Sequence, residues 1–179
     1  SGVSVARDQY AIGYLSEDRK SEGLILQHDV LQNSGITVWR KICSKLGWLS
    51  DQQVTNRVSP SIDKLEVKTP SLAQMVGNLS GGNQQKISVA KWLAAQVEIL
   101  IVDEPSVGID IKTKAYLHEL IRELADQGTS ILLITSDMPE IITLADRIIV
   151  MDEFVIKGDL PNNRNYEEMS TGIMNLIHS

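Results

Sequence analysis

The residues able to do chemistry are concentrated in two short runs, Leu79-Ser-Gly-Gly-Asn-Gln-Gln-Lys86 and Ile99-Leu-Ile-Val-Asp-Glu-Pro105. Ser80, Gly81 and Gly82 stand where a helix begins. The first N–H groups of that helix have no partner within it, so they and the positive end of its dipole can face a phosphate. Glycine at this point lets the phosphate approach the backbone. The apolar residues 99–102 read as a buried parallel strand that delivers Asp103 and Glu104 to its C-terminal end, where α/β sheets place their ligands. Two adjacent carboxylates there suit Mg2+-assisted hydrolysis, with Asp103 in the metal shell and Glu104 polarising the attacking water. Taken singly, each run has a plainer meaning: Ser-Gly-Gly is also an ordinary helix cap, and solvated acidic turns commonly end strands.

The elements that must position these runs follow from periodicity. Residues 11–15 read as a short strand that leads into the charged loop 17–20. The next sixty or so residues read as short helices: Val38, Trp39, Ile42, Leu46 and Leu49 recur at helical spacing, and Gly35, Gly47, Pro60 and Pro70 break the stretch into pieces. Ile87, Ala90, Lys91 and Ala94 continue a helical step into the strand at 99–102. Beyond it, Asp110 is an N-cap for a helix whose Leu117, Leu120, Ile121, Leu124 and Ala125 form one apolar stripe, with Gly128 as the stop. Residues 130–135 read as a second buried strand, Pro139 and Glu140 open a short helix, 147–151 and 154–157 read as strands around a turn at 152–153, and 166–178 as a terminal helix. This alternation of strand and helix gives an α/β fold with a mostly parallel sheet.

Composition narrows the function classes. The 179 residues are 42% hydrophobic, enough for a substantial core, and the formal net charge of −6 argues against a nucleic-acid partner. Cys43 stands alone and reads as a small buried apolar group in a reducing compartment. No apolar stretch reaches the roughly 18 residues of a membrane span, and residues 1–9 lack the apolar core of a signal peptide, so any membrane role is expected to come through a partner. His28, His118 and His178 are scattered without metal-ligand spacing, and Trp39, Trp48 and Trp92 read as packing residues.

The two runs resemble the signature and Walker B motifs of ATP-binding cassette (ABC) ATPases, and Ser106-Val-Gly-Ile-Asp110 resembles the D-loop that follows them. Gly13-Tyr-Leu-Ser-Glu-Asp-Arg-Lys20 with Gly23-Leu24 is similar to the second cassette of simple-sugar importer ATPases of the ribose, galactose and xylose type. The resemblance implies a partial P-loop NTPase-like core with a small helical subdomain. Residues 1–23 would start the core with a Q-loop-like segment, 24–95 would form the helical subdomain with the signature, and 96–179 would return to the core with Walker B, D-loop, switch position and C-terminal helix. It implies ATP and Mg2+ as cofactors. Leu79, Ser80, Gly81, Gly82, Asn83, Gln84, Glu17 and Asp110 would face nucleotide or the facing cassette, Asp103 and Glu17 the metal, and Glu104 and Ser136 the reaction. It further implies as partners the first cassette of the same subunit, a membrane permease and, indirectly, a periplasmic or extracellular sugar-binding protein, at the cytoplasmic face of the membrane.

Three features depart from the family pattern. No G-x-x-x-x-G-K-[ST] loop occurs, so the sequence carries no phosphate cradle of its own and reads as the C-terminal part of a longer subunit, inactive alone. Glu17 stands where most cassettes carry glutamine, and Ser136 where most carry the histidine that contacts the γ-phosphate. A serine hydroxyl is shorter and cannot carry positive charge at neutral pH, which predicts slower hydrolysis at the site served by Glu104. Arg19 and Lys20 could bind phosphate, although a charged loop is more often simply solvated. Leu24, Leu26 and Val30 are expected to receive a permease helix if exposed. The competing readings are a non-catalytic cassette module that presents its signature to another cassette, and a soluble ABC ATPase acting on ribosomes or DNA.

Overall fold

The computed structural model describes residues 6, 10–44 and 47–178. Contacts divide the chain into two compact units, Ser1–Leu132 and Leu133–Ser179.

The first unit is built on strands β1 (Ile12–Leu15) and β2 (Ile99–Asp103), which run parallel with Tyr14 opposite Ile101 and Leu15 opposite Val102. The sheet order is β1-β2-β3, with β3 spanning Ser130–Ile134. Leu15, Leu100 and Val102 are buried as the apolar runs demand. β3 is less covered than expected: as a sheet edge it alternates, and Leu132 and Ile134 are about half exposed.

Between β1 and β2 lie the helices α1 (Val30–Gly35), α2 (Trp39–Ile42), α3 (Asp51–Lys64) and α4 (Gly81–Ala95). Capping boxes start α1 at Asp29 and α3 at Ser50. α4 packs on α1, α3 and β1, and its Ile87, Val89, Ala90, Ala94 and Ala95 are buried nearly all round. Glycine permits the closest approach: a Cβ on Gly13 would lie 2.9 Å from the ring of Trp92, and one on Gly35 2.4 Å from a Val54 methyl.

Three expectations need correction. The periodicity from Val38 to Leu49 makes only the single turn α2, because Cys43 already turns to extended backbone; Leu46 lies outside the described residues. Trp48 is 77% exposed and packs no core, unlike the buried Trp92. Leu24 and Val30 are buried and belong to the helical core, so they offer no surface. The exposed apolar side chains of that region are Ile25 and Met75, on adjoining segments joined by Gly77 N to Leu26 O at 3.0 Å and Val76 N to His28 O at 3.0 Å.

α4 also buries a charge. Lys91 is only 8% exposed and its Nζ donates to the carbonyl of Gly23. Loss of water around the ammonium lowers its pKa to about 8. Below pH 8 the ammonium is protonated in both folded and unfolded chains, and its full burial cost is present. Between about 8 and 10.5 the unfolded chain binds more protons, so stability rises with pH. Urea unfolding at pH 7.5 and 9.5 is expected to show a gain of about 2 kcal/mol that is absent in Lys91→Met. An equal pH slope in both proteins would remove Lys91 as its cause.

α5 (Ile111–Asp126) starts at Asp110 and buries Leu117, Leu120, Ile121 and Leu124 as its periodicity predicts, while Ala125, at the margin of that stripe, is exposed. In the second unit α6 (Met138–Leu144), β4 (Arg147–Asp152), β5 (Val155–Pro161) and α7 (Tyr166–Ile177) close around Ile142, Ile148, Val150, Met169 and Ile173. β4 and β5 form a separate antiparallel ribbon turning at Glu153 and Phe154, both with positive φ.

Candidate nucleotide-facing site

Ser80 has extended backbone and caps α4, and Gly81 and Gly82 make the first turn. Both glycines are closely approached by side chains: a Cβ on Gly81 would meet the Arg19 guanidinium at 3.0 Å, and one on Gly82 the Thr113 hydroxyl at 2.9 Å. The turn is braced from behind. Asn83 Nδ2 donates to Ser80 Oγ at 3.0 Å and its Oδ1 accepts from Lys68 N at 2.8 Å. Gln84 is buried, with Nε2 donating to the carbonyls of Val76 and Leu79, both at 3.2 Å. Asn83 and Gln84 thus hold the shape of the turn, and Ser80, Gly81 and Gly82 are left to offer themselves outward.

Outward lies a pocket of about 350 Å3, lined by Ser80, Gly81, Gly82 and Asn83 on one side and Gly108, Ile109, Asp110 and Thr113 on the other, with Lys68 and Lys86 at its margin. Asp110 is fully engaged in capping. Its Oδ1 accepts from Lys112 N and Thr113 N at 3.0 Å each and its Oδ2 from Thr113 Oγ1 at 2.7 Å. The Thr113 hydroxyl and amide hold the Asp110 carboxyl below the usual carboxylate range. Two lysines and the N-terminus of a 15-residue helix give the lining a positive side that suits a phosphate, while the Asp110 carboxylate stands in the same lining and Lys86 Nζ donates to Glu66 O at 3.2 Å. No motif announced Lys68, which the fold brings in from the loop after α3, nor Thr113, whose role as cap partner depends on the helix register.

The carboxylates stand at the end of β2. Asp103 is half-buried and its Oδ2 accepts from Tyr14 Oη at 2.7 Å, leaving Oδ1 for another partner. That hydrogen bond, with lesser help from burial, raises the Tyr14 phenol above its ordinary pKa. Tyr14 was legible in principle: it ends up on the neighbouring strand, facing Ile101 in register, two residues before Asp103. Glu104 has φ +41, a left-handed conformation that costs a non-glycine residue about 1 kcal/mol or more and turns the chain sharply into Pro105. Glu17 is exposed on the loop after β1. Ser136 is exposed in the second unit, in a loop held by Thr135 Oγ1 donating to the buried Glu140 carboxylate at 2.6 Å and by Asp137 capping α6. Among the described residues no cluster of three or more His, Cys, Asp or Glu could hold a metal ion by itself.

Comparison with known proteins matches residues 4–107 to the family model described as ABC transporter. The chain belongs to the ABC transporter family. It is 42% identical over 157 residues to a ribose import ATP-binding protein of Clostridium tetani, covering 88% of this chain and 31% of that protein. It is 48% identical over 140 residues to a second ribose import ATP-binding protein, from Mesorhizobium japonicum, covering 78% of this chain and 27% of that one. The chain thus spans about a third of the length of the curated relatives it matches. Its fold is that of solved ABC cassettes. An ATP-binding cassette solved as a dimer bound to ADP and Pi superposes with a TM-score of 0.73 at 22% identity, over 90% of this chain and 66% of that one. The cassette cbiO1 of Clostridium perfringens gives 0.72 at 20% identity, over 97% and 65%. The ABC transporter match ends at Val107, so Asp110 and the second unit rest on the pairwise likenesses.

Proposed function

We propose that this chain is the C-terminal part of the second cassette of an ATPase subunit that couples ATP binding and hydrolysis to import of a simple sugar through a membrane permease. The observation that carries the reading is the open pocket at Ser80–Gly82 in a sequence without a phosphate loop of its own. Such a turn can complete a nucleotide site whose cradle lies on another cassette. The likeness to ribose import ATP-binding proteins supports the substrate class.

Bound Mg-ATP supplies a γ-phosphoryl group whose transfer to water the metal assists. The backbone N–H groups of Gly81 and Gly82 and the hydroxyl of Ser80 would hold the γ-phosphate of the site on the facing cassette, with Lys68 and Lys86 adding positive potential. At the chain's own site the free oxygen of Asp103 would join the metal shell and Glu104 would orient the attacking water, and the sequence offers Ser136 for the role of a histidine donor. Exposed Val107 and Ile111, flanking Asp110, suit the contact between cassettes. Functionally the chain divides into a core segment at 1–23, a helical part at 24–95 and a second core segment at 96–179, whereas contacts alone cut it after Leu132. The likeness to import ATP-binding proteins supports a peripheral subunit on the cytoplasmic face; among the described residues no helix is long and apolar enough to cross a membrane. A second reading, a module that completes a neighbour's site while turning over nothing itself, is favoured by Ser136 at one of the two sites.

Calorimetric titration of Mg-ATP into this chain alone tests the division of labour. A phosphate loop normally supplies most contacts to the β- and γ-phosphates, so no saturable heat is expected below millimolar concentration. Tight saturable binding would refute the proposal that the signature works only in trans.

A further inference from the structure

We propose that Arg19 is a positioning residue that ties the loop after β1 to the D-loop and to the signature turn, and so sets the geometry in which the two meet a nucleotide. The inference deepens the proposed function and rests on it for its catalytic consequence only.

The loop is first fixed on α4. Asp18 caps the turn Arg19–Gly23, its Oδ1 accepting from Lys20 N and Ser21 N at 3.1 Å each and its Oδ2 from Ser21 Oγ at 2.6 Å. Ser16 Oγ donates to Glu22 Oε2 at 2.6 Å, and the Gly23 carbonyl is held by Lys91. From this base the Arg19 side chain crosses to the segment after β2. Nη1 donates to Val107 O at 3.3 Å and Nη2 to Gly108 O at 3.4 Å, where Gly108 has φ +68. The same Nη2 rests on Gly81, whose missing side chain makes room for it. One guanidinium therefore touches all three segments.

Its chemistry suits the task. A planar fork can serve two successive carbonyls, which a lysine ammonium on a flexible stem cannot do with the same geometry. Both bonds are long, and Nε is buried without a partner, so the fork is seated but not tightly held. A displacement of the 17–23 loop would be carried directly to Val107, Gly108 and Gly81. Two further ties between α4 and the D-loop region, Gln85 Nε2 to Pro105 O at 3.2 Å and the close approach of Thr113 to Gly82, do not involve that loop.

Two measurements test this. Hydrogen exchange on the 179-residue chain reads the positioning itself. In Arg19→Gln the Val107 amide, bonded to Glu104 O at 3.2 Å, is expected to exchange at least tenfold faster, with α3 and α5 unchanged and the thermal midpoint preserved. Arg19→Lys should recover less than half of the lost protection. Unchanged exchange at 106–109, or a uniform rise throughout, would overturn the proposal. Steady-state ATPase of the longer protein reads the consequence: kcat is expected to fall about tenfold in Arg19→Gln with KM for ATP within twofold. Loosened exchange with undiminished kcat would overturn the coupling. Absence of any ATP turnover in the unaltered longer protein would contradict the proposed function instead, and the exchange result alone would then decide the role of Arg19.

Discussion

Replacing Gly81 by Asp in the longer protein is expected to abolish sugar-driven ATP turnover, whereas Glu104→Gln leaves a measurable part of it. The new carboxylate would enter the turn that faces the γ-phosphate, and because its Cβ comes within 3.0 Å of the Arg19 guanidinium it would also draw that fork away from Val107 and Gly108. Like charges a few ångströms apart in a partly dehydrated interface cost several kcal/mol, which is on the order of a hundredfold or more in rate. On the proposed assignment Gly81 would serve the site whose cradle belongs to the facing cassette, and Glu104 the chain's own site, where the sequence offers Ser136 in place of a histidine and hydrolysis is expected to be slower, so its loss should cost less. Steady-state ATPase and transport assays on both variants decide the matter. If Glu104→Gln is as complete a loss as Gly81→Asp, the assignment of the two sites is wrong and Ser136 does not mark a weakened one.

Detachment from the permease is the second large effect expected. Ile25 is 37% exposed and Met75 52% exposed on adjoining segments of the helical region, while Leu24 and Val30 beneath them are buried. Ile25→Asp combined with Met75→Asp should place two charges on that apolar surface without touching the core, so the longer protein should fold normally and fail to co-purify with the permease proposed as its partner. Undiminished co-purification would move the docking surface elsewhere. Leu24→Asp gives no such test, because a charge at a site 6% exposed would unfold the subdomain first.

Periodicity and capping made the elements legible. The stripe Leu117, Leu120, Ile121 and Leu124 is buried on α5, and Asp110 caps it as its sequence position implies. Where reading stopped short, tertiary context decided. Leu24 and Val30 look like surface apolar residues of a binding groove until α4 packs over them, and Trp48 looks like core until α2 ends after one turn and leaves it in solvent. In the candidate site the runs 79–86 and 99–105 stood out because helix starts and strand ends have local signatures. Arg19 and Thr113 did not stand out as neighbours of Gly81 and Gly82, nor Lys68 as a partner of Asn83, because those contacts span 62, 31 and 15 positions of chain and exist only once the sheet and α4 are assembled. The inward turn of Gln84 was equally hidden: within the signature motif it reads as a nucleotide contact, yet the side chain is buried and its Nε2 donates to the carbonyls of Val76 and Leu79.

The central claim is that Ser80, Gly81 and Gly82 lie against the γ-phosphate of a nucleotide held by a facing cassette. Vanadate trapped with ADP takes the place of that phosphate, and ultraviolet light then cuts the backbone beside it. Irradiation of the vanadate-trapped longer protein, with the fragments identified by mass spectrometry, is predicted to show a cut within residues 80–82 that disappears in Gly81→Asp. Cleavage at a phosphate loop with none within residues 80–82 would contradict the account.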